Sequence, residues 1–197
     1  MSYNANSEVI NLYQPKKRFI IPINNFHIPK KLFKQFKRNT YTFKINNNFE
    51  SVISKCQLAN RKDSGTWINS IILDSYLNLY YKKKAHSVEC YDQNQLIGGL
   101  YGVHIGGCFF GESMFSELSN TSKFCLLYLI AILKKNLFSI LDSQFYNEHL
   151  IQFGAFEIKN KIYLEKLTAS INDNKVFTSI ENFQEVLSLL QPSSHKS

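Results

Sequence analysis

The sequence has no apolar run long enough to cross a bilayer. The longest, "CLLYLIAIL", covers nine residues, 125–133, whereas a transmembrane helix needs about 20. The chain also opens without a basic stretch followed by an apolar segment, which is the pattern of a secretory signal. The two absences together predict a cytoplasmic protein that does not bind membranes.

Cysteine is scarce and widely spaced. The four residues, Cys56, Cys90, Cys108 and Cys125, include no CxxC pair. Disulfide frameworks and zinc sites normally show closer and more regular spacing. We therefore expect buried, reduced thiols and no bound metal.

Acidic residues are missing between Val9 and Phe49, where nine Lys and Arg occur. Residues 1–90 hold 15 basic against 5 acidic side chains, and residues 91–197 hold 8 against 10. A charge distribution this one-sided is typical of a surface that docks a polyanion such as nucleic acid. A solvated basic face is the alternative interpretation.

The chain is long enough, at 197 residues, to bury one folded core, and 44% of its residues are hydrophobic. Helical and strand-like periods alternate along it. Helices are predicted at 28–38, 49–57, 67–83 and 121–137, and Thr66 is expected to cap the third of them. Strands are predicted at 41–45, 86–91, 95–103, 108–112 and 139–146. A short helix, a strand and a further helix are expected to finish the chain. This order predicts an α+β fold with a mixed, largely antiparallel sheet.

Six of the eight glycines lie between residues 98 and 111, inside strand-like sequence. They do not form the GxxxxGK[ST] loop that cradles phosphates. Glycine within strands lets a ligand or another backbone come close. The cluster therefore indicates either a sheet face cleared of side chains for a substrate, or bulges and tight packing.

Three polar side chains interrupt apolar strands. Asp142 and Gln144 are two apart in "ILDSQF", so they share one face of an extended strand, and Glu112 follows "CFFG". Burying such groups is costly unless each has a partner or a function. They fit a site that binds a cation and manages a proton, or a satisfied buried network. His86 and His149 are isolated, and we interpret both as structural.

Several segments resemble one known family. "GTWIN", "AHSVE", "IGGLYGV", "FFGESMFS", "TSK" and "ILDSQF" occur in the order and spacing of the leucyl/phenylalanyl-tRNA–protein transferases, from about Tyr13 to Glu165. The resemblance implies a GNAT-like acyltransferase domain. It also implies transfer of Leu, Phe or Met from aminoacyl-tRNA to the N-terminal Arg or Lys of a protein, which marks that protein for proteolysis.

The resemblance also assigns roles to residues. Gln144 would orient the reacting amine, Asp142 would polarise Gln144 or relay the proton, and Glu112 would face the cationic acceptor. The donor side-chain pocket would comprise Leu100, Leu126, Leu129 and Leu141, the donor adenosine would lie near Trp67 and Tyr76, and the tRNA acceptor stem would contact Lys30, Lys34, Lys37 and Arg38. On composition alone the four leucines are ordinary core residues, and Trp67 is a helix-packing residue.

The family's organisation divides the chain into three parts. Residues 1–18 correspond to the remnant of a small N-terminal domain that is mostly absent, residues 19–192 to the catalytic domain, and residues 193–197 to a disordered tail. We expect a monomer whose partners are aminoacyl-tRNA and acceptor proteins. An aminoacyl ester is already an activated donor, so no cofactor is expected.

Two other functions stay open. A CoA-dependent GNAT acetyltransferase needs a pyrophosphate loop of the form [RQ]xxGx[GA] before a helix, and this sequence does not contain one. A non-catalytic tRNA- or RNA-binding protein would explain the basic half. It would not explain Glu112, Asp142 and Gln144.

Overall fold

The computed structural model describes residues 10–59 and 66–191. In this part of the chain it has seven strands and seven helices. The strands are β1 (Lys17–Ile21), β2 (Thr42–Ile45), β3 (Ala85–Asp92), β4 (Gln95–Ile105), β5 (Cys108–Ser116), β6 (Ile140–Gln144) and β7 (Phe156–Lys159). The helices are α1 (Lys30–Arg38), α2 (Phe49–Leu58), α3 (Ser70–Tyr81), α4 (Thr121–Lys135), α5 (Glu148–Ile151), α6 (Asn160–Ser170) and α7 (Phe183–Leu190).

The strands form one sheet in the order β2-β3-β4-β5-β6-β1-β7. Every neighbouring pair is antiparallel except β5 and β6, which run parallel. A parallel pair needs a crossover connection, and α4 supplies it. The prediction of an α+β fold with a mixed, largely antiparallel sheet is confirmed.

Both faces of the sheet are covered around β3 and β4. On one face α4 and α7 pack with residues such as Val88 and Leu100. On the other face α2 and α3 pack with residues such as Tyr91 and Tyr101. The apolar run 125–133 is buried throughout, and among the described residues no helix is both long and apolar enough to traverse a bilayer.

The third helix begins at Ser70, later than predicted. Oδ1 of Asn69 accepts the backbone N–H three residues further on at 2.8 Å, so Asn69 and not Thr66 caps α3. Oγ1 of Thr66 accepts the N–H of Ile68 instead, at 3.2 Å. Trp67 therefore lies in a connecting segment and not on the helix.

Two elements were not predicted. β1 lies between β6 and β7, and the predicted domain boundary after residue 18 falls inside it. α7 follows the helix that was expected to end the fold. The predicted tail at 193–197 lies outside the described residues, and the division into domains stays a prediction.

Candidate active site

Strands β5 and β6 separate shortly after they begin to pair. Their register comprises only Cys108↔Ile140, Phe109↔Leu141 and Phe110↔Asp142, although β5 continues to Ser116. A cavity of about 570 Å³, which we call the central cavity, opens where the two strands diverge. Glu112 from β5 and Asp142 from β6 both border it.

The four leucines predicted for the donor pocket all line the central cavity. Leu100 comes from β4, Leu126 and Leu129 from α4, and Leu141 from β6. Each is between 1% and 3% exposed. Trp67 lines the same cavity. The structure thus brings these predicted residues to one place, with an apolar surface beside the carboxylates.

Asp142 is fully buried, and both of its carboxylate oxygens accept hydrogen bonds from protein groups. Oδ2 accepts hydrogen bonds from Nε of Arg18 at 3.1 Å, from Nη2 of Arg18, and from the hydroxyl of Tyr163 at 2.7 Å. Oδ1 accepts the backbone N–H of Gln144 at 2.7 Å. Each carboxylate oxygen therefore has a protein donor, and Arg18 neutralises the charge.

Gln144 departs from the extended conformation assumed for it. Its φ is +69°, in the left-handed region, because the Asp142 side chain accepts its N–H in a local turn. Nε2 of Gln144 donates to Oε1 of Glu112 at 3.0 Å and to the carbonyl oxygen of Gly111 at 3.4 Å. The alternation of side chains between the two faces of β6 therefore ends at Gln144. The Gln144 side chain contacts Glu112.

Glu112 is a half-buried carboxylate that accepts hydrogen bonds from two neutral side chains. Burial raises its pKa, and hydrogen bonds from Tyr76 and Gln144 oppose that rise. The salt bridges of the described residues do not include Glu112. Burial, and then the nearby Glu112, raise the pKa of the Tyr76 hydroxyl. Within the described residues, Arg18 pairs with Asp142 and not with Glu112.

The predicted basic residues lie on the outer face of α1. Lys30, Lys34, Lys37 and Arg38 are exposed, while the apolar side of the helix faces the core. Lys34 and Arg38 border a shallow depression together with Asn120. Nδ2 of Asn120 donates to a side chain of α1 at 3.1 Å.

The basic helix is connected to the central cavity by a short segment. Ser119 and Asn120 border the depression beside α1. Ser122 and Lys123, in the first turn of α4, line the central cavity. Residues 119–123 therefore lead from the predicted tRNA surface to the predicted donor pocket.

Most of the glycine cluster serves packing. A Cβ at Gly98 would lie 2.5 Å from the side chain of Thr121, and a Cβ at Gly102 would lie 2.3 Å from the carbonyl oxygen of Phe110. Of the six glycines, Gly111 alone borders the central cavity. The interpretation of the cluster as a face cleared for substrate is wrong for the other five.

Sequence reasoning missed several residues at the site. Arg18 and Tyr163 bind Asp142, and Lys123 lines the cavity. The sequence did indicate that a buried Asp142 needs a partner, but it does not indicate that this partner is Arg18. His149, interpreted as structural, lines the cavity, whereas His86 is buried and stacks on Phe177.

The described residues contain no group of three His, Cys, Asp or Glu side chains placed to bind a metal. The four cysteines are buried and unpaired with one another in disulfides. Burial raises the pKa of the Cys108 thiol to about 11. A raised pKa disfavours the thiolate form, so it does not indicate a nucleophilic role for Cys108.

Comparisons by sequence identify relatives. The family model described as leucyl/phenylalanyl-tRNA protein transferase matches residues 20–168. A protein of that name from Zymomonas mobilis is 40% identical over 172 residues, which is 87% of this chain and 64% of the relative. Those from Hyphomonas neptunium and Caulobacter vibrioides are 42% and 40% identical, over 81% and 83% of this chain and 62% and 76% of the relatives. The chain thus spans less than two thirds of the first two relatives.

Comparisons by structure are weaker. A crystal structure of a functionally unknown conserved protein from Staphylococcus epidermidis has a TM-score of 0.44 at 10% identity, over 73% of this chain and 57% of that one. The structure of L-PGS from Bacillus licheniformis has a TM-score of 0.43 at 15% identity, over 88% and 59%. Such scores assign no fold family, so the GNAT-like fold stays a prediction. The sequence matches cover most of the chain, and this chain belongs to the leucyl/phenylalanyl-tRNA protein transferase family.

Proposed function

We propose that this chain transfers Leu, Phe or Met from aminoacyl-tRNA to the N-terminal Arg or Lys of acceptor proteins. The observation that carries the proposal is the central cavity, in which four leucines lie beside half-buried Glu112 and fully buried Asp142. An apolar pocket suits the donor side chain, and a half-buried carboxylate suits a cationic acceptor. Membership of the family supports the same reaction.

The donor side chain would occupy the leucine-lined part of the cavity. Leu150 and Phe153 extend this apolar lining beyond the four predicted leucines. A pocket lined this way accepts apolar side chains that are not branched at Cβ, and it discriminates by only about 1–3 kcal/mol per methylene. Donor selection among Leu, Met and Phe is therefore expected to be loose.

The tRNA would contact the exposed cations of α1. Contacts from Lys and Arg to phosphates give affinity without base specificity, which suits an enzyme that accepts tRNAs charged with different amino acids. Residues 119–123 would then direct the 3′ end from α1 into the central cavity.

Glu112 would bind the positive charge of the acceptor. Its partners, Tyr76 and Gln144, are neutral donors. A cationic side chain or amine would therefore supply the countercharge that the described part of the protein does not, through charge-assisted hydrogen bonds.

The reaction itself requires little chemistry from the protein. The acceptor amine attacks the ester carbonyl carbon, a C–N bond forms, the C–O bond to the terminal ribose breaks, and the amine proton passes to the departing hydroxyl. Holding amine and ester together can contribute roughly 7–11 kcal/mol. The main task of the site is therefore positioning.

Gln144 is suited to orient the amine. Its Nε2 is fixed by two acceptors, Glu112 and Gly111, so the amide orientation is determined by its neighbours. Within the described part of the chain, its Oε1 receives no protein donor. That oxygen is available to accept an N–H from the attacking amine.

The contacts of Asp142 favour a positioning role over proton relay. One of its oxygens accepts from Arg18 and Tyr163, and the other accepts the backbone N–H of Gln144. It does not contact the Gln144 side-chain amide through any of these bonds. We therefore assign Asp142 the task of fixing the Gln144 backbone.

Two further assignments differ in their support. Trp67 lines the cavity, which supports its predicted place near the donor adenosine. Tyr76 hydrogen-bonds Glu112, which favours a role on the acceptor side. A GNAT-like fold, a monomeric state and targeting of the products for proteolysis belong to the same proposal and rest on the family resemblance. A cytoplasmic location belongs to it as well.

Transfer of radiolabelled Leu from charged tRNA to a peptide beginning with Arg tests the proposal. We expect transfer to Arg and Lys peptides, little to a peptide beginning with Ala, and collapse in Asp142→Ala. Asp92→Ala, at the exposed end of β3, is the control and should retain activity. Binding of charged tRNA without transfer would favour the RNA-binding alternative, and acetyl-CoA-dependent turnover would favour the acetyltransferase.

A further inference from the structure

Two side chains from distant parts of the chain converge on Asp142. Arg18 lies on β1, 124 residues before Asp142, and Tyr163 lies on α6, 21 residues after it. Both donate to the same oxygen, Oδ2. The other oxygen, Oδ1, is left to accept the Gln144 N–H.

Arg18 and Tyr163 also fix each other. The guanidinium of Arg18 lies over the Tyr163 ring, with its central carbon 4.7 Å from the ring centroid, an arrangement that attracts a cation to the ring face. The Arg18 side chain is 15% exposed and Tyr163 is 4% exposed. The three side chains therefore form a closed group, which restricts the rotation of the Asp142 carboxylate.

The orientation of that carboxylate determines the backbone at Gln144. A residue other than glycine is rarely found at φ +69° without a specific stabilising contact, and the Oδ1 bond is that contact. A rotated Asp142 would release the N–H and allow an extended φ. The Gln144 side chain would then leave Glu112.

We infer that Arg18 and Tyr163 are positioning residues that set the geometry at the acceptor amine through Asp142 and Gln144. They do not touch the reacting atoms. The inference rests on the proposed function for its kinetic consequence, whereas its structural consequence, the fixed N–H of Gln144, does not depend on any activity.

Kinetics test the first consequence. Arg18→Met and Tyr163→Phe should lower kcat by about 10- to 100-fold, the size expected when a reacting group is misplaced by about 1 Å. KM for charged tRNA should change by less than about twofold, because neither residue lies on the basic surface. Tyr163→Phe retains the ring and is informative if Arg18→Met fails to fold.

Two matched controls accompany these variants. Lys17→Met removes the neighbouring cation of β1, which forms an exposed pair with Glu157 at 2.9 Å. Tyr128→Phe removes a buried hydroxyl that donates to the carbonyl oxygen of Ile180 at 2.7 Å. Both should retain kcat. Equal losses in the controls would show a general effect of destabilisation and would overturn the inference.

A double-mutant cycle separates action through Asp142 from an independent role. In an Asp142→Ala background, Arg18→Met should lower kcat by less than about twofold further, since its target is already gone. An additive effect would mean that Arg18 acts on substrate directly, and this would overturn the inference.

An NMR measurement tests the second consequence without any activity. The dipeptide Ser-Gln occurs once, at 143–144, so ¹³C-carbonyl Ser and ¹⁵N-Gln labels select the Gln144 amide alone. We expect slow hydrogen exchange in the wild type and in Lys17→Met, and exchange at least tenfold faster in Tyr163→Phe. An unchanged amide would overturn the inference. If the wild type performs no transfer, the proposed function fails while this measurement still decides the inference.

Discussion

Nε2 of Gln144 donates a hydrogen bond to Oε1 of Glu112 at 3.0 Å, although the strands that carry these residues stop pairing at Phe110 and Asp142. Side chains thus connect β5 and β6 beyond the point where their backbones separate. The central cavity opens at this separation, and the Gln144–Glu112 bond spans it. The two roles proposed for these residues, orientation of the amine by Gln144 and recognition of the acceptor charge by Glu112, would therefore depend on each other.

Neutralising Glu112 should impair acceptor recognition. In Glu112→Gln the hydrogen bond from Gln144 can persist, but the charge is lost. A hydrogen bond to a charged group contributes roughly 1.5–3 kcal/mol, so kcat/KM for an Arg peptide should fall about 10- to 100-fold. Steady-state transfer at varied peptide concentration measures this.

A peptide beginning with citrulline, a neutral analogue of Arg, sharpens the Glu112 experiment. The wild type should prefer Arg, and Glu112→Gln should lose that preference. Glu117→Gln, which removes a partly exposed carboxylate paired with Lys55, should keep it. An Arg-to-citrulline preference that survives in Glu112→Gln would contradict the assignment.

Enlarging the donor pocket should change donor preference. Leu129→Ala removes a cavity-lining side chain, so the ratio of kcat/KM for Phe relative to Leu should rise about 10-fold or more, consistent with about 1–3 kcal/mol per methylene. Leu127→Ala removes an equally buried leucine of the same helix that does not line the cavity. Both variants should lose roughly 2–5 kcal/mol of stability, but only Leu129→Ala should alter the ratio in competition between the two charged tRNAs.

Sequence patterns predicted the elements whose signals are local. The stripe of Leu32 and Phe36 beside lysines predicted α1, and the apolar run 125–133 predicted α4. β1 carried no such signal, because "KRFII" is short and follows a polar segment. Its place in the sheet depends on partners more than a hundred residues away.

Some members of the candidate site were predictable from the sequence, but their contacts were not. The leucines of the cavity look like core residues on composition, and only the family resemblance singled them out. The left-handed φ of Gln144 arises from a side-chain contact with Asp142, which periodicity does not encode. The Arg18–Asp142 pair likewise required three-dimensional information.

Removing cations from α1 should weaken tRNA binding in a salt-dependent way. Each phosphate contact contributes about −0.9 to the slope of log K against log salt on a duplex. Lys34→Gln with Arg38→Gln should therefore flatten the slope by roughly 2 and lower affinity for charged tRNA. Lys161→Gln, an exposed change on α6, should leave the slope unchanged. Filter binding at several salt concentrations measures it, and an unaltered slope would place the tRNA elsewhere.

Substitution of two different glycines should separate an effect on stability from an effect on activity. Gly98→Ala would place a Cβ 2.5 Å from the Thr121 side chain, so it should destabilise the protein by about 1–3 kcal/mol. Gly111→Ala meets only an oxygen of Asp142 at 3.7 Å, an ordinary contact, and should fold normally. Because Gly111 borders the cavity, its variant should lose transfer activity. Urea unfolding of both variants measures their stability, and transfer assays measure their activity. A Gly111→Ala protein that is unstable, or that is stable and fully active, would contradict this prediction.

Buried His86 should make the protein sensitive to acid. Burial, and then the neighbouring His104, lower the pKa of His86 to about 4, whereas an unfolded histidine titrates near 6.5. The unfolded chain therefore binds the proton first, so stability is complete above pH about 6.5 and falls as the pH approaches 4. A difference of this size corresponds to roughly 3 kcal/mol.

Urea unfolding at pH 7 and pH 4.5 measures the acid sensitivity. The loss of stability between these pH values should be smaller in His86→Gln than in the wild type. His27→Gln, which changes an exposed histidine, should match the wild type. His104, whose pKa burial also lowers, should preserve part of the dependence in His86→Gln. An equal loss in all three proteins would assign the acid sensitivity to other groups.

The insertion of β1 between β6 and β7 has a consequence for synthesis on the ribosome. β1 emerges early, yet both of its partner strands lie far later in the chain. Contacts between such distant segments form slowly, and chains are made at only about 5–20 residues per second. Asp142 can meet Arg18 and Tyr163 only once nearly all of the described chain has been made. The group formed by Arg18, Asp142 and Tyr163 can therefore assemble only late in synthesis, well after the residues of α1 have been made.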